Sequence, residues 1–146
     1  YLMPEEYFYF VGELRNCSKK QVDEFLKQFE DLFNGEILGG KKFIRDLSKG
    51  NQKKVGIVAA LIGDPEVIIL DEPFANLDPT TQIRLKKIIK TLSQKVGVTV
   101  LVSSHDLQDV TEVSDRIVLL EKGLVIKDIK KTKKTLQDLE SYFTKE

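Results

Sequence analysis

The sequence predicts an α/β fold, a mostly parallel sheet with an α-helical segment at its N-terminal end. Two continuous apolar, β-branched runs, at residues 67–70 and 99–102, have the composition of strands buried on both faces of such a sheet. Segments of helical spacing follow each run, so strands and helices alternate, as right-handed crossovers require. The 146 residues, 41% apolar and 32% charged, suit one hydrophobic core of ordinary domain size.

The elements follow in order. Pro4 suits a first helical position, and Tyr7, Phe8, Phe10, Val11 and Leu14 come after it at helical spacing. Ser18 with Gln21 forms a capping box for a second helix, whose stripe of Val22, Phe25, Leu26, Phe29, Leu32 and Phe33 runs to a stop at Gly35. Residues 35–46 lack periodicity and read as a loop. Ser48 caps a helix to about Ile62 with Val55, Val58, Leu61 and Ile62 on its apolar side, ended by Gly63 and Pro65. After the first strand, Asp78 and Pro79 open a helix carrying Ile83, Ile88, Ile89, Leu92 and Val96 up to Gly97. The second strand leads to a helix through Leu107, Val110 and Val113. Two apolar strand runs, 117–120 and 124–126, then join around Lys122 and Gly123, and a final helix carries Leu136, Leu139 and Phe143. The lysines between 127 and 134 read as a solvated face and linker.

Charge and composition exclude several functions. With 23 Lys+Arg against 23 Asp+Glu there is no basic excess for nucleic-acid binding through counterion release. The longest apolar run, residues 55–62, falls far short of the roughly 20 residues that span a bilayer. A single cysteine, Cys17, forms no internal disulfide, and no signal segment opens the chain, so a cytoplasmic setting is expected. Tyr1 in place of an initiator methionine suggests a piece of a longer chain.

Four groups of residues carry chemistry. Asp71 and Glu72 stand at the end of the first apolar strand, where two adjacent acids imply a cation, a bound water or both; strand alternation points them apart, so one can serve a metal and the other a reacting group. Taken alone, the pair also fits a strand that merely ends in solvated acids. Leu47-Ser48-Lys49-Gly50-Asn51-Gln52 opens a helix, and its free N–H groups make either a simple cap or an anion site that Gly50 lets a ligand approach. Asn76-Leu77-Asp78 follows the acids. His105, the only histidine, ends the second strand; with an ordinary pKa of about 6.5 it is a plain loop residue or a donor to phosphate near neutral pH.

In this order and spacing the four groups resemble the nucleotide-binding domain of ATP-binding cassette (ABC) transporters over nearly the whole chain, which implies a partial, three-layer P-loop NTPase-like fold. On that resemblance residues 47–51 look like the signature, 67–71 like the Walker B strand, Glu72 like the catalytic glutamate, residues 76–78 like the D-loop and His105 like the switch histidine. The family usually has glycine where Lys49 stands and glutamine where Asn51 stands. The resemblance divides the chain into part of a helical subdomain (1–46), the C-terminal half of the catalytic subdomain (47–128) and a C-terminal helix (129–146). No Gly-x-x-x-x-Gly-Lys-Ser/Thr loop occurs, so the chain alone is expected to be inactive.

The implied function is coupling of ATP binding and hydrolysis to transport, leaning toward an ABC-2 exporter from the 5–14 segment. The implied cofactors are ATP and Mg2+, with Asp71 at the metal, Glu72 and His105 catalytic, and Ser48, Lys49, Gly50, Asn51 and Asp78 at the nucleotide. Ser48, Asp71, Glu72 and His105 are expected to converge on a terminal phosphate, half of the pocket coming from elsewhere. The implied partners are a second nucleotide-binding domain, head to tail, and a transmembrane permease, with the protein cytoplasmic and peripheral to the inner face of the membrane. A soluble ABC ATPase and a non-catalytic interaction module are the alternatives. A sheet lacking its phosphate-loop strand exposes apolar surface, so self-association of the isolated chain is expected.

Overall fold

The computed structural model describes residues 1–144. Its first third is helical. Helix α1 (Pro4–Leu14) begins with proline at its first position, and the Glu6 carboxylate accepts from the Met3 N–H at 2.7 Å. Helix α2 (Lys19–Leu26) opens on the expected capping box of Ser18 and Gln21. The two helices meet where Gly12 faces Val22, so closely that a Cβ on residue 12 would lie 2.4 Å from Val22 Cγ2.

The long second helix predicted to reach Gly35 is interrupted. A 3₁₀ turn (Lys27–Phe29) follows α2, and a short helix α3 (Glu30–Phe33) ends at Asn34 in the left-handed conformation. Phe29, Leu32 and Phe33 remain buried across the break, so the apolar stripe survives and its periodicity does not reveal the interruption. In the loop beyond, residues 44–46 form a second 3₁₀ turn.

Helix α4 (Lys49–Leu61) packs against α1, α3 and the first strand, with Val55, Val58, Leu61 and Ile62 all buried as the spacing predicts. Strands β1 (Val67–Asp71) and β2 (Thr99–Ser103) are parallel, in register from Val67–Thr99 to Asp71–Ser103. Burial on both faces is not observed. Ile68 and Leu70 enter the core, but Val67, Ile69 and Leu101 are 64%, 68% and 60% exposed, because α4 and the helix α5 (Pro79–Ser93) cover one face only. On α5 the buried residues include Leu85 and Ile89, whereas Ile83 is exposed; Val96 lies beyond the helix end and is exposed too.

Helix α6 (Leu107–Val113) leads into strands β3 (Arg116–Glu121) and β4 (Leu124–Lys130), which form a separate antiparallel hairpin with a register shift between Leu119 and Leu120. The α/β class holds, but the described strands form two pairs and not one parallel sheet. The reason lies in the connection. Lys122 and Gly123, both at positive φ, make a two-residue turn that permits only an antiparallel return. The last helix, α7 (Thr135–Phe143), starts after β4 has taken residues 129 and 130, so the C-terminal helix expected over 129–146 is shorter; residues 145–146 lie outside the described residues.

Candidate functional site

The predicted site residues fall into two groups. The first lies at the carboxyl edge of β1 and β2. Register places Asp71 opposite Ser103, and the Ser103 hydroxyl donates to the Asp71 carboxylate. The strand ends there. Glu72 adopts a left-handed conformation (φ 45°), so it is the turn, and not strand alternation, that points the two acids apart. That strained turn is held from three sides: the Glu72 N–H donates to the Ser103 carbonyl and hydroxyl, both at 3.1 Å, and its carbonyl accepts from Lys53 Nζ at 2.6 Å.

Glu72 Oε1 accepts from the His105 backbone N–H at 3.0 Å and lies 2.8 Å from His105 Nδ1. The hydrogen bond and charge of Glu72 raise the His105 pKa above its ordinary value, although the ring is 85% exposed. With Nδ1 directed at the carboxylate, Nε2 is left to face solvent or a ligand. Asp106 caps α6 by accepting from Gln108 and Asp109 N–H groups at 2.8 and 3.0 Å, which fixes the backbone that carries His105. Lys86 Nζ bridges Asp109 (2.8 Å) and Glu112 (2.6 Å) and sits 5.6 Å from the Phe74 ring centroid, tying α5 to α6 and to the turn after Glu72.

The second group lies at the start of α4, around an open cavity of about 620 Å³ lined by Ser48, Lys49, Gly50, Asn51 and Asp78 among others. Ser48 Oγ accepts from the Asn51 N–H at 3.2 Å, the expected cap. Asn51 Nδ2 donates to Glu36 at 2.9 Å, and this bond is the main cause that holds the Glu36 carboxyl below its usual range. Asp78 caps α5, accepting from the Thr81 hydroxyl at 2.5 Å and the Thr81 N–H at 3.0 Å; these bonds lower its pKa. Gly50 has a nearer neighbour than any ligand. A Cβ there would lie 2.9 Å from the Asn76 carbonyl oxygen, so the missing side chain lets α4 abut the turn before Asp78.

The expected convergence of Ser48 with Asp71, Glu72 and His105 is thus not what one chain forms. None of the latter three lines the cavity. Lys53 is the α4 residue that reaches Glu72, and Ser48 stands five residues earlier, about 7.5 Å of helical rise away. Sequence reasoning places Ser103 on the functional edge but gives it no role, since its part depends on strand register, and misses the cavity residues Glu36 and Lys54. Lys54 was detectable: it follows Gly50 and Asn51 by four and three residues and shares their helix face.

Comparison with known proteins gives these groups a context. A protein-family model described as "AAA domain, putative AbiEii toxin, Type IV TA system" matches residues 5–108. The chain is 36% identical over 124 residues to an uncharacterised ABC transporter ATP-binding protein of Synechocystis sp., covering 84% of this chain and 35% of the relative. It is 32% identical over 117 residues to a methionine import ATP-binding protein of Carboxydothermus hydrogenoformans, covering 80% of this chain and 33% of the relative. The chain therefore spans about a third of the length of these relatives. Among solved structures, the ATP-binding subunit of an ABC transporter matches with TM-score 0.78 and 28% identity over 98% of this chain and 57% of that one. A dimeric ATP-binding cassette in a post-hydrolysis state bound to ADP and Pi matches with TM-score 0.65 and 27% identity over 78% of this chain and 49% of that one. The chain accordingly belongs to this AAA-domain family, as a portion of an ABC nucleotide-binding domain.

Proposed function

We propose that the chain supplies two complementary half-sites of an ATP-hydrolysing cassette. The sheet edge activates water beside one nucleotide, while the α4 cavity receives the terminal phosphate of a second nucleotide held by a partner domain. The observation that carries this reading is the Glu72–His105 pair, with two contacts of 2.8 and 3.0 Å to one carboxylate oxygen. Glu72 Oε1 is thereby oriented by His105, and the carboxylate can accept the proton of an attacking water. His105 Nε2 can donate to a terminal phosphate.

The residues present suit magnesium. Among the described residues no three His, Cys, Asp or Glu side chains cluster closely enough to cage a metal by themselves. Asp71, paired to a hydroxyl, is the single carboxylate that a magnesium ion sharing nucleotide phosphates and waters needs. Bound Mg2+ and ATP would supply charge neutralisation and the phosphoryl group; Asp71 would hold the metal's shell, and Ser48, Lys49 and the first-turn N–H groups of α4 the second phosphate. The relatives' names support ATP as the nucleotide and transport as the process, to which this reading adds a membrane permease as the partner. The dimeric cassette structure supports pairing with a second nucleotide-binding domain; this reading makes that pairing head to tail and puts the protein on the cytoplasmic side of a membrane. No described helix is long and apolar enough to cross a membrane. Without a phosphate loop of its own, the chain alone is inactive in this scheme.

In the longer protein, Glu72→Gln is expected to lower ATP turnover by about 10²-fold or more, the share of a well-placed base. Near-wild-type turnover would remove Glu72 from the mechanism. The isolated chain is expected to self-associate through Val67, Ile69 and Leu101, and sedimentation of a clean monomer at high concentration would contradict that.

A further inference from the structure

We propose that Lys54 is a direct phosphate ligand in the α4 cavity; this rests on the reading of that cavity as a phosphate site. Lys54 is 5% exposed, yet no hydrogen bond or ion pair holds its ammonium among the described residues. No buried side-chain nitrogen there lacks both a partner and solvent contact, so Nζ must open into the cavity that Lys54 lines. An ammonium that opens into the cavity without a protein partner, on a side chain otherwise packed away from water, is placed to take an anion.

The neighbouring acids do not play that part. Glu36 and Asp78 both feel the charge of Lys54, but neither comes within ion-pair distance, and each is engaged elsewhere, Glu36 with Asn51 and Asp78 with Thr81. The cavity wall carries three cationic side chains, Lys49, Lys54 and Arg84, against these two acids, which leaves a positive excess. Lys54 follows Gly50 by one helical turn, so its ammonium faces the same space as the unbonded N–H groups at the start of a 13-residue helix. Helix N–H groups with a converging ammonium recognise a phosphate oxyanion, whether free or at the end of a nucleotide.

The test is a titration of the isotopically labelled 146-residue chain with inorganic phosphate and, separately, with ATP, followed by NMR. The Lys54 Cε resonance and the Gly50 amide should shift together. Lys54→Met should weaken binding about tenfold or more, the loss of one charged hydrogen bond, while Lys54→Arg keeps it within about threefold. Tighter binding of ATP than of phosphate identifies the nucleotide as the source; equal binding identifies free phosphate. If Lys54→Met binds like the wild type while Ser48→Ala weakens binding, Lys54 is no ligand and the cavity reading stands. If neither probe shifts Ser48, Gly50 or Lys54, both fall. Should Lys54→Met not fold, an unmoved Lys54 resonance beside a shifting Gly50 amide in the wild type overturns the proposal equally.

Discussion

The carboxyl edge of the parallel strands and the start of α4 meet polar chemistry in opposite ways. At the edge the functional groups satisfy one another: Ser103 serves Asp71, His105 serves Glu72, and Lys53 serves the Glu72 carbonyl. In the cavity the caps are satisfied, but the ammonium of the largely buried Lys54 opens into the space without an ion-pair partner among the described residues. On the proposed function the edge orients water, which needs its side chains fixed before substrate arrives, whereas the cavity receives a partner's ligand and must hold interaction capacity in reserve. The first is a preorganised device and the second an incomplete one.

Substitutions that distinguish the two regions come first where the effect is largest. Phe74 lies between them, since it is buried in the turn after Glu72, lies under the Lys86 ammonium, and its carbonyl accepts from the N–H of Leu77, which lines the cavity. Phe74→Ala should cost about 3–5 kcal/mol of stability in denaturant unfolding, as for a large core aromatic. A loss below 1 kcal/mol, roughly the scale of a surface change, would show that the two regions do not share a core.

A smaller effect separates two glycines of one helix. Gly50→Ala forces a Cβ against the Asn76 carbonyl and should destabilise by about 1 kcal/mol or more after the helical preference for alanine is deducted. Gly56, with nothing within 4 Å of its would-be Cβ, should instead gain about 0.5–1 kcal/mol on substitution by alanine. Thermal melts of the two variants shifting in the same direction would mean that α4 does not abut the turn at Asn76.

What the sequence made legible follows from the range of the forces involved. Caps such as Ser18, Ser48 and Asp78 were readable because a side chain and an N–H three residues on decide them. The apolar face of α4 was readable because its period is local. Exposure of Val67 and Ile69 was not, because an apolar run looks the same whether one face or two are covered. Asp71, Glu72 and His105 were picked out by type and order, but the left-handed Glu72 and the Ser103 contact depend on strand register, which couples residues about thirty apart in sequence. Lys54 was passed over because lysine on a helix ordinarily lies in water, and only tertiary packing shows it buried.

The smallest effect concerns the proton on His105. Its pKa is raised in the folded chain chiefly by the hydrogen bond to Glu72, so the pair contributes stability that is fully present below the ordinary histidine value near 6.5 and lost as pH rises through the higher folded value. Between those two values the ring is charged only when folded. Glu72→Gln removes the charge while keeping an acceptor oxygen, and the His105 titration midpoint followed by NMR should move down toward the ordinary value. No comparable shift should appear in Ser48→Ala, whose lost cap lies in the cavity region. A midpoint unmoved by Glu72→Gln would mean that the carboxylate does not hold the ring, and the preorganised side of the comparison would lose its orienting contact.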